Sequence, residues 1–373
     1  MTMPGRHIML AAGGTGGHIY PAFALADALL ARGHSVDLVT DARGHAWPGL
    51  SEEVRVGVID AASPTRGGLA RAAATALAVR RGKRQARAMI AATRPAVVIG
   101  FGGYPALPAL LAARAEGVPY CLHEQNAVLG RVNRLMASGA KAIAVAWPNT
   151  RRLAARHLGK TALTGNPVRP AIALLRDEPY PLISRDSLLR VLVLGGSQGA
   201  RVLSEVVPAA MRMLPPGLQR RLQITQQCRP EDIEAVRAVY AGEAIAAELA
   251  TFIDDIAARL RWAHLVISRA GASTLSELAV AGRPAILVPF AAAMDDHQSA
   301  NAQELVGAGG AVLMRERAFT AIALAKHVQR LATAPAQLIE MADAARSVGR
   351  PWATEHLANL AEYAMGLRGR DGR

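Results

Sequence analysis

The chain has 373 residues, 51% apolar and 19% charged, which is enough for two ordinary domains with cores of their own and too apolar for disorder. Its net charge of +14 is uneven: residues 1–165 carry 20 Lys and Arg against 8 Asp and Glu, and residues 166–373 carry 23 against 21. Two distant cysteines, Cys121 and Cys228, exclude a disulfide framework and read as reduced core thiols; no apolar run approaches the ~20 residues of a membrane span, and residues 8–12 are too short for a signal peptide.

The chain opens with residues 6–12, an apolar run that reads as a buried strand. The loop Gly13-Gly14-Thr15-Gly16-Gly17-His18 follows. Next come Pro21 and a helix predicted over 22–32, stopped by Gly33 in the Pro-first, Gly-last order. A strand over 35–40 completes a β-α-β unit. Further strands are predicted over 54–59, 96–100, 119–122 and 142–146. Gly165-Asn-Pro-Val-Arg-Pro170 and the stretch to Ser187 read as a hinge, rich in prolines and turn residues. The pattern then restarts. Residues 190–194 form a second buried run, and Gly195-Gly-Ser-Gln-Gly-Ala200 opens a second helix. Strands over 222–225, 250–252, 265–268 and 285–288 follow, and residues 352–367 look helical. Dominance of Ala, Leu and Val with 4% aromatics favours helices alternating with parallel strands. The expected class is α/β, with two doubly wound Rossmann-like domains at 1–165 and 166–345. Residues 346–373 are expected to form a C-terminal helix packing back on the first domain.

Glycines between a buried strand and a helix let backbone N–H groups meet an anion, and the helix dipole adds to the attraction. Thr15, Gly16 and Gly17 fit this logic, as do Ser197 and Gln198. Neither loop is a dinucleotide fingerprint, since Ile19 stands where the first loop would need a third glycine, and neither is a Walker loop. Asp41 ends the second strand, where a nicotinamide enzyme would hold its ribose, so an NAD-dependent oxidoreductase is one alternative. Phe101-Gly-Gly-Tyr104-Pro105 and His123-Glu124-Gln-Asn126 also follow predicted strands. Loops after strand ends gather at one edge, so His18, Tyr104, His123, Glu124 and Asn126 are expected to converge. In the second half, Ser268-Arg-Ala-Gly-Ala-Ser-Thr-Leu-Ser-Glu277 follows a strand, with Ser273 or Thr274 as possible helix cap. Glu277 is placed to accept two hydrogen bonds from ribose hydroxyls. Asp295-Asp-His297-Gln298-Ser-Ala-Asn301 opens another helix, with Gln298 and Asn301 three apart on one face. No His or Asp cluster has metal-ligand spacing.

Together and in order, these seven segments resemble the MurG family, the UDP-N-acetylglucosamine:N-acetylmuramyl-(pentapeptide) pyrophosphoryl-undecaprenol N-acetylglucosaminyltransferases. The resemblance spans nearly the whole chain. It implies a glycosyltransferase of GT-B type, with two Rossmann-like domains and a cleft between them. It implies UDP-GlcNAc bound mainly by the C-terminal domain and the lipid-linked muramyl-pentapeptide acceptor, lipid I, by the N-terminal one. Ile253 would meet uracil through its backbone, and Glu277 would hold the ribose. Ser197, Gln198 and Arg169 would lie at the diphosphate, with Ala272, Ser273 and Thr274 lining the same loop. Asn126, His297 and Gln298 would approach the sugar. His18, Tyr104, His123, Glu124 and Asn133 match acceptor-side or catalytic positions. Two positions depart from the pattern: Ser204 stands where an Asn is expected, and His297 where some relatives carry Gln. Other cell-wall synthesis proteins are implied partners.

An α-linked donor and a β-linked product require one in-line displacement. A base must take the acceptor proton, and His18 is the first choice, with Glu124 and His123 as alternatives. Helix N-termini and Arg169 can meet the charge on departing UDP, so no tightly bound cofactor is required, while a divalent cation could stimulate. Arg66, Arg71, Arg80, Arg81, Lys83, Arg84 and Arg87 crowd one segment, interleaved with Leu69, Leu77 and Val79. This fits either an anionic membrane surface or an ordinary solvated helix face. The absence of aromatic platforms there argues against nucleic acid. The expected location is the cytoplasmic face of the bacterial inner membrane, held peripherally. Another GT-B glycolipid synthase is the nearest alternative.

Overall fold

The computed structural model describes residues 5–45, 47–62, 69–196, 199–243, 245–367 and 369. It divides into two compact units, Met1–Arg169 with Pro351–Arg373, and Pro170–Arg350.

The first unit is built on seven parallel strands in the order β3-β2-β1-β4-β5-β6-β7. They are β1 (His7–Ala11), β2 (Ser35–Thr40), β3 (Arg55–Val58), β4 (Val97–Gly100), β5 (Tyr120–Glu124), β6 (Ala142–Val145) and β7 (Thr161–Leu163). Alternation along β1 explains why its whole run is apolar. Ile8 and Leu10 enter one core with Phe23, Leu25 and Leu357, while Met9 and Ala11 enter the other with Leu110 and Leu122. Helix α1 (Gly16–Ala31) and the C-terminal helix Ala353–Ala364 cover the first face. Helices α2 (Leu69–Thr93) and α3 (Gly103–Ala115) pack together on the second, and the short α4 (Arg131–Met136) follows β5. The C-terminal helix is tied to the end of α1 by polar contacts as well as leucines. Arg32 reaches Glu362 at 3.0 Å and Asn359 at 2.8 Å, and His34 meets Glu362 at 3.3 Å.

The second unit carries six parallel strands in the order β10-β9-β8-β11-β12-β13. These are β8 (Leu189–Leu194), β9 (Leu222–Gln227), β10 (Ala246–Ala250), β11 (Leu265–Ser268), β12 (Ala285–Leu287) and β13 (Ala311–Leu313). Its helices include α5 (Arg201–Arg212), α6 (Ile256–Trp262), α7 (Ala272–Ala281), α8 (His297–Ala308) and α9 (Pro335–Val348). Both sheets start from a central strand and run outward in both directions, the doubly wound plan expected of two glycine-rich openings.

Several local expectations are corrected. Helix α1 starts at Gly16 and not after Pro21, so Pro21 lies inside it. Strand β10 is Ala246–Ala250 and precedes residues 251–252, which lie in a bend. Strands β7 and β13 lie outside the expected set. The expected hinge is partly ordered on the second unit: residues 170–177 form short helical turns, the Tyr180 hydroxyl donates to the His264 carbonyl at 2.7 Å, and Glu178 pairs with Arg261 at 2.6 Å. Both cysteines are buried free thiols, and burial pushes Cys121 up to about 12 and Cys228 to about 11.

Arg283 is the largest fully buried side chain of the described residues. Helix α7 ends with Gly282 left-handed at φ 61°, and the Arg283 N–H bonds back to Leu278 O at 2.9 Å. The guanidinium then donates to the carbonyls of Ala281, Gly282, Leu260 and Arg261 and lies 5.7 Å from the Tyr180 ring centre. Burial lowers its pKa to about 10, so it stays charged at neutral pH. One cation therefore closes the carboxyl ends of α6 and α7 together. Arg283→Ala is expected to cost about 3 kcal/mol or more in a urea melt, because several carbonyls lose a charged donor at once. Arg283→Lys should recover only part, lacking the planar fork.

Candidate active site

In the first unit, the segments after β1, β2, β4 and β5 form the carboxyl edge of the sheet, and their glycines are sites of close contact. A Cβ on Gly13 would fall 2.7 Å from Asp41 Oδ1 and 2.9 Å from Thr40 Oγ1. Gly14 adopts φ +82°. Asp41 organises this corner. Its Oδ1 accepts from Gly14 N at 3.1 Å and Gly44 N at 2.9 Å, its Oδ2 accepts from the Tyr104 hydroxyl at 2.6 Å, and Arg43 lies 3.6 Å away. Arg43 also donates to Tyr104 and sits over its ring. The carboxylate considered as a ribose ligand therefore holds the chain's own glycine loop. Tyr104 is engaged with Asp41 and Arg43, and burial raises its pKa.

His18 lies in the first turn of α1. Its Nδ1 stands 2.8 Å from the Phe101 carbonyl and 3.2 Å from Gln125 Oε1. Two oxygens at one ring nitrogen place the proton on Nδ1 and leave the lone pair on Nε2. His123 is wholly buried. Its Nε2 meets the Gly165 carbonyl at 3.1 Å, its Nδ1 has no hydrogen-bond partner among the described residues, and burial lowers its pKa to about 4. Glu124 is buried too. Oε1 accepts from Asn126 N at 3.1 Å and Nδ2 at 3.2 Å, and Oε2 accepts from Gly130 N at 2.7 Å and Asn133 Nδ2 at 2.8 Å. Asn133 also donates to the His123 carbonyl at 3.1 Å. Thr15 is the extended N-cap of α1, with no side-chain capping bond. A Cβ on Gly16 would lie 3.2 Å from the Tyr20 ring and 3.4 Å from Trp47, and Gly17 lies in the first turn. Arg169 stacks on Tyr20 at 5.2 Å.

In the second unit, Ser197 and Gln198 lie outside the described residues. Around them, Gln227 at the end of β9 accepts from Gly195 N at 3.2 Å and donates to Gly196 O at 3.3 Å. Ile253 is half-buried in the segment after β10. Gly271 is the N-cap of α7, so Ser273 and Thr274 lie inside the first turn with Ala272 and do not cap it. That turn holds no acidic residue, and Glu277 is buried in the second turn, 7% exposed. His297 Nδ1 meets Met294 O at 2.7 Å, and Gln298 Oε1 accepts from Phe290 N at 2.9 Å. Asp295 and Asp296, just before them, hold positive φ of 56° and 51°, a conformation costing about 1–3 kcal/mol each. Asn301, three residues further along α8, is fully buried, and its amide donates to Ala270 O at 3.3 Å. Arg269 pairs with Glu316 at 3.1 Å, and Glu316 accepts from Ala291 N at 2.9 Å, fixing the 288–291 turn. Neither residue stood out in the sequence, and nor did Gln125 or Gln227. Gln125 sits inside a singled-out run, but a neutral amide between ionisable neighbours gives no signal of its own.

Burial pushes the Asp41 pKa up, but the bonds from Tyr104, Gly44 and Gly14 and the Arg43 charge outweigh it, and the net shift is downward. A carboxylate with a lowered folded value stabilises fully above its unfolded pKa of about 4, and the gain is lost as pH falls through the folded value. Asp41→Asn should therefore lower stability by about 1–3 kcal/mol at pH 7. The gap between the two melting curves should close on acidification below about pH 4. An unchanged gap would show that Asp41 acts by shape alone.

Residues 8–145 match the glycosyltransferase family 28 N-terminal domain, and residues 190–361 match the family's C-terminal domain. The chain is 55% identical over 357 residues to the UDP-N-acetylglucosamine--N-acetylmuramyl-(pentapeptide) pyrophosphoryl-undecaprenol N-acetylglucosamine transferase of Sphingopyxis alaskensis, covering 96% of this chain and 91% of that one. It is 53% identical over 363 residues to the protein of the same name from Zymomonas mobilis, covering 97% and 93%. The crystal structure of Acinetobacter baumannii MurG is similar at 32% identity and a TM-score of 0.75, covering 96% of this chain and 99% of that chain. With two family 28 domains, each on a parallel sheet, the chain is a glycosyltransferase of GT-B fold, and it belongs to the MurG family of N-acetylglucosaminyltransferases.

Proposed function

We propose that this chain moves N-acetylglucosamine from UDP-GlcNAc to the C4 hydroxyl of the muramyl residue of undecaprenyl-pyrophosphoryl-MurNAc-pentapeptide, converting lipid I to lipid II. Family membership supports the substrates. The observation that carries the chemistry is His18, whose Nδ1 is engaged with Phe101 O and whose Nε2 keeps its lone pair. Among the three candidate bases, His123 is enclosed and bonded to Gly165 O, and both oxygens of Glu124 hold two N–H donors each. Of the three, His18 alone is half-buried, and this reading reserves its Nε2 for the acceptor. The acceptor hydroxyl gives its proton to Nε2 as its oxygen attacks the anomeric carbon. The bond to UDP breaks in the same displacement, which inverts the centre.

In this reading the first unit takes the lipid acceptor and the second takes the donor. The amino end of α7 has neither a side-chain cap nor an acid in its first turn, which suits a diphosphate. Glu277, one turn further on, would accept the ribose hydroxyls. Two variants separate the roles. His18→Ala should lower turnover about 10²–10⁴-fold and leave UDP affinity in calorimetry nearly intact. Glu277→Ala should do the reverse, weakening UDP by roughly 1.5–3 kcal/mol per lost bond. If His18→Ala loses UDP binding and keeps its turnover, the mechanism is wrong.

We also infer a peripheral place on the cytoplasmic face of the inner membrane. Among the described residues no helix is long and apolar enough to cross a membrane. Support for surface binding comes from α2. Arg80 and Arg84 are exposed on it with Leu77, 52% exposed, one turn away on the same side, and Arg71 is exposed nearer its amino end. Arg81 and Arg87 are instead paired, with Asp60 at 2.9 Å and with Glu116. Arg66 and the side chain of Leu69 lie outside the described residues. Neutralising Arg71, Arg80 and Arg84 should therefore release the protein from anionic vesicles without unbalancing Asp60 or Glu116. Each basic group near such a surface contributes about 1 kcal/mol, so partitioning should fall roughly a hundredfold. Added salt should mimic the change, and transfer to a short water-soluble acceptor should survive. Undiminished vesicle binding would make α2 an ordinary solvated helix.

A further inference from the structure

We propose that Gln125 is a positioning residue for His18: its side-chain amide locks the imidazole in the tautomer that presents a lone pair on Nε2. The inference rests on the reading of His18 as the base. The Phe101 carbonyl can only accept hydrogen bonds. Two groups reach it, His18 Nδ1 at 2.8 Å and Gln125 Nε2 at 2.9 Å. A glutamine turned the other way would set its own oxygen against that carbonyl with no proton between them. The contact therefore orients the amide, with nitrogen toward Phe101 O and oxygen toward His18. Gln125 Oε1 then lies 3.2 Å from His18 Nδ1. Both oxygens beside Nδ1 demand a proton on that nitrogen.

The amide has little freedom to leave this arrangement. Gln125 is 1% exposed, and its backbone carbonyl accepts from the buried Trp147 Nε1 at 3.0 Å. His123, the titratable neighbour of His18, is wholly buried, with its pKa pushed down to about 4 by burial and so neutral at physiological pH. On the other side of the ring Gly103 holds φ +69°, and a Cβ there would lie 3.4 Å from Nε2. The reacting edge is thus kept bare by a glycine while the far edge is held by an amide. In the displacement, the proton of the acceptor hydroxyl passes to Nε2, and the electron pair of the broken bond leaves with UDP. The ring becomes positively charged and later returns its proton to water. Two oxygens at Nδ1 stabilise that charge. A neutral amide does so less strongly than a carboxylate would.

The test uses the full chain with ¹⁵N-labelled histidine, the His18 signals being assigned with His18→Gln. The parent should show Nδ1 protonated and Nε2 bare. Gln125→Met removes both amide atoms at similar length. It should give mixed tautomers and turnover reduced by about ten- to a hundredfold, while UDP affinity stays within about twofold. Gln125→Glu places a carboxylate at Nδ1 and gives up the donor to Phe101 O, so His18 becomes the side-chain donor to both. It should keep the tautomer and move the acid limb of the kcat/KM profile upward by about one pH unit or more. A residue that only supports the fold would not move that limb. Gln125→Met with an unchanged tautomer and full turnover overturns the proposal, as does Gln125→Glu with the limb in place. If the methionine variant fails to fold, the glutamate variant decides alone. Transfer persisting in His18→Gln would overturn the base assignment, whereas the tautomer spectrum tests Gln125 independently of catalysis.

Discussion

The first unit depends on one carbonyl oxygen, that of Phe101. Its residue is the last to join the ladder: the Phe101 N–H donates to Ala11 O at 2.9 Å, and beyond it the chain leaves the sheet. A strand-end carbonyl in the interior needs a donor, and leaving it bare would cost about 1–3 kcal/mol. Here two donors arrive from different loops, His18 from after β1 and Gln125 from after β5. The requirement that a buried oxygen be satisfied thus fixes the relative register of three loops. Gly102 and Gly103 follow at φ +75° and +69°, and a Cβ on Gly102 would press on Asn133 Nδ2 at 3.3 Å. The turn away from the sheet is therefore made by residues with no side chain to obstruct what it supports.

Behind that hub, polar groups are buried for the sake of rigidity. Glu124 gathers donors from Asn126, Gly130 and Asn133, so the connection from β5 to α4 wraps around one carboxylate. With the glutamate at the centre of this wrap, its neighbour His123 points inward, where its Nε2 meets Gly165 O and, among the described residues, Nδ1 has no hydrogen-bond partner. An unpartnered nitrogen on a neutral ring costs far less than a buried unpaired charge would, and burial keeps the ring neutral through the physiological range. A run of ionisable residues thereby resolves into separate tasks. His123 and Glu124 are taken up by contacts within the chain, and the His18 ring is held from another segment.

This division of labour marks how far the sequence could be read. The strands were legible wherever a continuous apolar run met a turn, as in β1, β8 and β11. Strand β10 was displaced because Ala-Ala-Glu-Leu-Ala lacks β-branched residues, while the following Thr-Phe-Ile carries them. The edge strands β7 and β13 are three residues each, too short for any period to show. The onset of α1 was hidden because glycines read as loop, although here they are its first turn. At the site, the converging loops followed from topology alone. The roles within them did not, because whether Glu124, Asn301 or Asp41 faces a ligand or the protein is decided by which backbone N–H or C=O groups lie within reach. Those partners lie tens of residues away in several cases, and no local pattern encodes them.

The two units solve one problem with different charges. In each, the glycine loop after the first strand is held by the residue at the end of the neighbouring strand. Asp41, just past β2, holds Gly14 N, and Gln227, the last residue of β9, holds Gly195 N. The topological position is the same, since β2 flanks β1 as β9 flanks β8. Gln227 is neutral and also donates to Gly196 O and Thr251 O, so it fixes its loop without adding charge. A diphosphate approaching that loop would meet the amino end of α5, whose first turn holds no acidic residue. Asp41 brings a full negative charge, and its corner is balanced differently. Three donors and the nearby Arg43 neutralise the carboxylate locally, and the net effect is a charge-assisted brace of the kind that is shorter and stronger than a neutral bond. The stiffer brace lies in the unit that carries His18, the proposed base, where the direction of a lone pair would decide whether a proton can be taken. The neutral one lies in the unit proposed to take the anionic donor, where the electrostatic environment of the loop matters more than its stiffness.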